Sequence, residues 1–338
     1  MTKLRQDIKL PYISGPGEIS NEDYHRGELY KSYISSSGLK NYLVSPKYAR
    51  WAQLHPELKQ STPAMIEGTI YHDLMESYTN YGNDSMFPWI AFDKPPINPR
   101  TGKPFGEDSK VYLEALAEFR DDNPGKFIGP ANMIRTARSM VAELMGGNSH
   151  LSSDIRHLVD IGRAEQSHFC EFEDGRYKYR TDLKTKNKII DWKKTHFECP
   201  KPENFERVIV DFGYHISAAM YQFFEHLITG RWKRFYWVVQ ENVPPYDFNI
   251  IDASPWAFEP LGKDDVKLNA GASIFLRLIE QHQYCLRNDL WPGYSIFTEP
   301  DWKGKRIAKS KVPGWYENKV KTTFYNDYDN TSSIAEVS

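Results

Sequence analysis

Asp191 and Lys193 stand two residues apart in the run Ile189-Ile190-Asp191-Trp192-Lys193. If the run is a strand, alternate side chains share a face, so acid and amine point the same way, about 7 Å apart. Ile190 and Trp192 then face a core. An acid and a base on the polar face of a strand are usually just solvated, so the pair alone defines no site. The preceding residues add to it. With 184–187 as a turn, Asp182 falls opposite Asp191 to within one residue. Directly opposed carboxylates repel across a strand pair, and a cation between them relieves the repulsion. Two carboxylates plus water oxygens suit Mg²⁺, a hard ion that keeps much of its hydration. Lys193 completes a chemistry. A carboxylate-bound metal lowers the pKa of its water, and the ammonium positions that water or steadies charge in the transition state. The reaction this describes is hydrolysis of a phosphodiester.

Around these residues the chain is basic. Arg176, Lys178, Arg180, Lys184, Lys186, Lys188, Lys193 and Lys194 lie within one hairpin, interleaved with Tyr177, Tyr179 and Trp192. Two readings stand side by side. Lysines protect exposed strand edges, and a positive rim also follows a phosphate backbone, with affinity that falls steeply as salt rises. On the second reading Arg176, Lys178, Arg180, Lys186 and Lys188 contact DNA.

The elements that must hold these residues can be read from periodicity. Alternation marks three strands, at 165–172, 177–183 and 188–194, with Asp174-Gly175 as a hairpin signal in the first turn. Upstream, Ser35-Ser36-Ser37 supplies an N-cap for a helix that stops before Pro46, and a second helix covers about 46–54. A further helix opens at Gly68-Thr-Ile-Tyr-His72 and runs to about Thr79, with Ile70, Leu74 and Ser77 on one face. The proline-rich stretch 93–108 reads as a loop, followed by helices at about 107–121 and 131–146. Downstream come a helix at about 211–229 ending at Gly230, a strand at 234–240, and a helix at 266–288. This order predicts an α/β (α+β) fold, a mixed central sheet flanked by helices.

The bulk numbers are permissive. The chain has 338 residues, 40% hydrophobic and 26% charged, as in ordinary globular proteins. A net charge of −2 excludes a uniformly basic nucleic-acid binder and leaves room for a local basic groove. No run approaches a membrane span, and MTKLRQDIKLPYISG lacks the apolar block of a signal peptide, so the expected compartment is the cytoplasm. Cys170, Cys199 and Cys285 are scattered and odd in number, which fits reduced thiols better than a disulfide framework or a metal clip.

Taken in order, Gly68-Thr-Ile-Tyr-His72, Glu165, Arg180-Thr-Asp182, Ile190-Asp191-Trp-Lys193 and Gly213-Tyr-His-Ile-Ser-Ala-Ala-Met-Tyr221 resemble the PD-(D/E)XK nuclease superfamily. Within it they are similar to the RecB-type branch, and most of all to the exonuclease VIII (RecE-type) nuclease domain of phages and prophages. The flanks Ser35-Ser-Ser-Gly-Leu-Lys40, Ser45-Pro46, Glu241 with Pro244-Pro245, Trp291-Pro-Gly-Tyr294 and Pro300-Asp-Trp302 extend the resemblance over roughly 24–303. It implies that His72, Asp182 and Asp191 ligate metal, with the peptide carbonyl of Trp192 as a further ligand, and that Lys193 is the catalytic lysine. Mg²⁺ is the implied ion and Mn²⁺ its substitute. Glu165 and Tyr221 are implied as supporting residues behind the ligands, although a solvated strand end explains Glu165 equally well. Three departures stand out. The helix motif that ends in Tyr221 carries Ser217 where the family has a glutamine that meets DNA or the lysine. Thr181 replaces the proline before the first acid, and Lys194 follows Lys193 where a threonine is frequent.

The resemblance further implies a single nuclease domain over 31–322, with a helical part at 31–150 and a catalytic sheet core at 160–303. An irregular lead-in at 1–30 precedes it and a polar tail at 323–338 follows. The implied activity is an exonuclease on double-stranded DNA ends, working 5′ to 3′, as a homo-oligomeric ring, alongside a single-strand annealing protein. A same-fold endonuclease and a CRISPR-adaptation nuclease are alternatives. The latter needs four clustered cysteines for an iron–sulfur centre, which this chain lacks. A DNA-binding assembly module without activity is a third reading, opposed by the presence of both acids and the lysine.

Overall fold

The computed structural model describes residues 9–13, 19, 23–24, 27, 31–58, 60–262 and 265–294. The chain divides into two units, Met1–Trp291 and Pro292–Ser338, and all the elements named here belong to the first. The expected tail from 323 and the Pro300-Asp-Trp302 flank lie outside the described residues.

The helical part begins, after strand β1 (Lys9–Ile13), with α1 (Ser36–Lys40), whose cap Ser35 accepts the Gly38 N–H. Next comes α2 (Pro46–Leu54), entered through a proline under the Ser45 hydroxyl. Helix α3 (Pro63–Tyr81) starts the same way. The Thr62 hydroxyl accepts the Met65 N–H, Pro63 occupies a position where no intrahelical N–H is lost, and Gly82 closes the helix at φ +73°. It therefore begins at Pro63 rather than at Gly68, where the sequence reading opened it. Then follow β2 (Trp89–Ala91), α4 (Lys110–Asp121), β3 (Phe127–Gly129), α5 (Ala131–Gly146) and α6 (His150–Ile161). Helix α6 was not expected.

The meander is β4 (Arg163–Phe172), β5 (Gly175–Lys184) and β6 (Lys188–Thr195). The helix expected at 211–229 is α8 (Tyr214–Thr229), and the helix before it, α7 (Pro202–Asp211), was not expected. Gly213 breaks them apart at φ +61°, a conformation glycine adopts without steric cost. The chain ends in β7 (Arg234–Glu241), β8 (Phe248–Asp252), β9 (Phe258–Pro260), β10 (Val266–Leu268) and α9 (Ala270–Asn288).

Six strands form the central sheet in the order β1-β4-β5-β6-β7-β8. Every neighbouring pair is antiparallel except β6 and β7, which run parallel. A parallel pair needs a crossover, and α7 with α8 supplies it. The sheet separates two cores. On one face Tyr177, Tyr179, Ile189, Phe235, Trp237 and Val239 pack with residues of α1, α7, α8 and α9. On the other, Leu183, Ile190, Trp192 and Val238 pack with α3, α5 and α6. This is the mixed sheet between helical layers that the sequence predicted.

Trp237 is fully buried, with its ring against Phe205 and Phe235. Trp237→Ala should lower stability by about 3–5 kcal/mol. Urea unfolding checks this; an unchanged midpoint would show that the centre of the sheet is not where the structure puts it.

Candidate metal-dependent active site

The site forms where β5 and β6 part. Their ladder pairs Leu183 with Ile190 and Lys184 with Ile189. Asp182 and Asp191 would be next, as the sequence predicted, but the ladder stops there. Instead the Asp182 Oδ2 accepts the N–H of Trp192 at 2.7 Å. A carboxylate has taken the place of a ladder carbonyl. Asp191 and Lys193 lie on the face opposite Trp192, as alternation requires, with Lys193 Nζ at 2.5 Å from Asp191 Oδ2. The same ammonium lies 4.8 Å from the centre of the Tyr214 ring. Burial alone would lower the Lys193 pKa. The Asp191 and Asp182 carboxylates outweigh it and hold the ammonium charged, well above its ordinary range.

On the other side of Asp182, β4 and β5 break alternation. The pairs Ala164–Leu183 and Gln166–Thr181 flank Glu165 and Asp182, which are themselves unpaired. Tyr177 and Tyr179 face the α8 core, yet Leu183, of the same parity, faces the α3 core. Strict period two cannot do that. The inversion coincides with Glu165, whose φ is +47°. A left-handed non-glycine residue costs on the order of 1–3 kcal/mol and is held where surrounding structure over-determines it. Here it brings the Glu165 carboxylate into the gap beside Asp182.

Helix α3 closes that gap. Ile70, Tyr71, Leu74 and Met75 are buried, and this docking carries His72 to the rim of the gap. Its Nε2 lies 3.1 Å from the Trp192 carbonyl oxygen, so Nε2–H donates to that carbonyl. Nδ1 then faces Asp182 Oδ2 at 3.5 Å and Glu165 Oε1 at 3.8 Å. The outer hydrogen bond fixes the ring so that Nδ1 faces the acids, a common arrangement behind metal-binding histidines. Burial opposes charge on His72, but Asp182 and Glu165 prevail and push it up to about 9. Burial, only partly offset by His72 and reinforced by Asp191, raises the Asp182 carboxyl above its ordinary range.

His72, Glu165 and Asp182 offer one ligand atom each within 4.8 Å of one another, the one such group among the described residues. Two carboxylates and an imidazole fit a hard to borderline divalent cation. The sequence set was His72, Asp182 and Asp191. The close group holds Glu165 beside His72 and Asp182, while Asp191 pairs with Lys193. The Trp192 carbonyl, expected as a ligand, is engaged by His72. Two more acids escaped the sequence reading. Glu76, one turn beyond His72, is pushed up to about 7 by burial and by Glu165, and Asp73 to about 6 by burial. The four-residue step from His72 to Glu76 was the available signal.

The basic hairpin is not a continuous rim. Arg176, Lys186 and Lys188 are exposed. Lys178 is buried, its Nζ donating to the Tyr24 carbonyl at 2.5 Å, and burial lowers its pKa to about 8. Arg180 is largely covered and donates to Ser167 and Ile19. Lys184 turns to the buried Glu225 at 2.7 Å and Lys194 to Glu67 at 2.5 Å. The expectation that Lys178 and Arg180 face DNA is corrected accordingly, since the N-terminal residues occupy them. On α8, Ser217 is half-buried one turn before Tyr221. Tyr221 stands 5.2 Å from the Tyr179 ring, and burial raises its phenol well above the ordinary range.

A mixed sheet whose D-x-K strand diverges from its acidic neighbour, closed by a histidine-bearing helix, defines a nuclease of the PD-(D/E)XK class, a group of typically divalent-metal-dependent hydrolases. The chain belongs to the family described as the PDDEXK-like domain of unknown function (DUF3799), whose profile matches residues 35–296. No curated protein matches it. Among solved structures it is similar to the crystal structure of a "Putative exonuclease" from Eubacterium rectale. The TM-score is 0.47 at 15% identity, covering 91% of this chain and 98% of that one. No helix among the described residues is long and apolar enough to cross a membrane.

Proposed function

We propose that this nuclease is an exodeoxyribonuclease that degrades linear double-stranded DNA from its ends. The observation that carries the hydrolytic part is the His72–Glu165–Asp182 cluster next to the Asp191–Lys193 pair. The choice of DNA ends, 5′ to 3′ polarity and 3′ single-stranded products rests on the ordered motifs that resemble exonuclease VIII. On the same footing the enzyme works as a homo-oligomeric ring in the cytoplasm and hands its product to a single-strand annealing protein.

His72, Glu165 and Asp182 would hold Mg²⁺ or Mn²⁺, with His72 oriented by the Trp192 carbonyl. Bound there, the ion would polarise a phosphoryl oxygen and lower the pKa of a water. Lys193 brings a fixed positive charge to the oxygens of the phosphate being cleaved, and Asp191 keeps the ammonium on the strand face that looks into the gap. Tyr214 walls its other side. Arg176, Lys186 and Lys188 track the DNA backbone, and Ser217 with Tyr221 lines the approach.

The test is one reaction containing end-labelled linear duplex and closed circular plasmid, with Mg²⁺ or with EDTA. Linear DNA should disappear, the circle should persist, and EDTA should stop both. Equal rates on both substrates would make the enzyme an endonuclease of the same fold. Full activity in EDTA would remove the metal from the reading altogether.

A further inference from the structure

We infer that Arg180 is a positioning residue of the metal cluster, locked in place to aim Glu165, and not a contact to a DNA phosphate. The inference rests on the proposal that the cluster holds a divalent cation.

Three anchors among the described residues fix the guanidinium. Its Nε donates to Ser167 Oγ at 2.7 Å on the neighbouring strand β4. One terminal nitrogen donates to the Ile19 carbonyl at 2.8 Å. The guanidinium carbon stands 4.7 Å from the centre of the Tyr24 ring, a cation–π contact in a largely desolvated place. The remaining nitrogen, Nη1, lies 3.9 Å from Glu165 Oε2. Only a planar fork can serve partners in so many directions; a lysine offers a single mobile point charge.

This arrangement divides the two oxygens of Glu165. Oε2 looks back at Arg180, while Oε1 looks forward to His72 Nδ1 at 3.8 Å. The two opposed charges bias the carboxylate toward presenting one oxygen to the cluster. A fixed cation behind it also offsets the repulsion among Glu165, Asp182 and Asp191. A swing outward to DNA would break at least two hydrogen bonds and leave Tyr24 with only the Lys178 ammonium over its ring. The side chain is therefore committed to the protein. Its neighbour on the same strand face, Lys178, is committed likewise, through the Tyr24 carbonyl.

The test uses the full chain and two readouts. Mn²⁺ binding is measured by calorimetry for wild type, Arg180→Gln, Arg180→Lys and Ser167→Ala. Affinity for a short duplex is measured in EDTA across a salt series. Arg180→Gln should weaken Mn²⁺ binding about 10–100-fold, the usual effect of removing a group that orients a ligand. Duplex affinity and its salt slope should stay as in wild type. Arg180→Lys keeps the charge without the fork and should fall between. If Arg180→Gln does not fold, Ser167→Ala, which removes one anchor, should weaken Mn²⁺ binding in the same direction by less. The inference alone is overturned if the folded variants bind Mn²⁺ as wild type does. A salt slope shallower by about one would then make Arg180 a phosphate contact. A wild-type protein that binds no Mn²⁺ overturns the metal-site proposal first, and this inference with it.

Discussion

Lys193→Ala should yield a folded protein that binds Mn²⁺ near wild-type affinity and cleaves DNA at least about 10²-fold more slowly. Groups aimed at developing charge in a dry site typically contribute that much. The separation of binding from chemistry follows from the geometry. Lys193 touches Asp191 and the Tyr214 ring, while the cluster that gathers ligand atoms is His72, Glu165 and Asp182. Single-turnover cleavage at saturating enzyme, beside calorimetry with Mn²⁺, reads the two separately. A variant that keeps more than about a tenth of the rate would remove Lys193 from the transition state.

Asp182→Asn should do the opposite to binding, losing metal and cleavage together. The amide oxygen can still accept the Trp192 N–H, so the strands need not separate. What disappears is an ionisable carboxyl in a buried place. Burial raises its pKa above the ordinary carboxylate range, so it binds protons more tightly folded than unfolded. Its contribution to stability therefore falls as pH rises through and above that range. Without metal at neutral pH, Asp182→Asn should consequently melt at or above the wild-type temperature, while added Mn²⁺ should stabilise only wild type. Thermal melts in EDTA and in Mn²⁺ check both. A variant that melts well below wild type in EDTA would mean that Asp182 is chiefly a structural brace.

Much of this architecture was legible because it follows simple periods. The D-x-K strand obeys alternation, so its two functional side chains and its two core side chains were assigned to opposite faces from sequence alone. The ordered motifs singled out His72 and Asp182, which the structure places side by side. The helix starts carried readable signals too, and Thr62-Pro63 was one that went unused. What failed did so for identifiable reasons. Glu165 could be taken for a solvated strand end because its role depends on a local reversal of alternation, which no periodic template contains. Lys178 and Arg180 looked like part of a basic rim because residues around Ile19 and Tyr24, far away in sequence, cover them. Helix α7 went unread, although Pro202 at its first turn was an available start signal.

The left-handed backbone at Glu165 sets two requirements against each other at a single residue. Chain conformation there favours glycine, which would relieve the steric cost and leave the strand pairing undisturbed. The cluster requires a carboxylate. Random drift scored only by stability would thus tend to erase the acid, and a library screened for heat resistance would enrich loss of function at this codon. Keeping glutamate at 165 is a concession of the fold to the reaction, so durability and turnover cannot both be maximised through this residue.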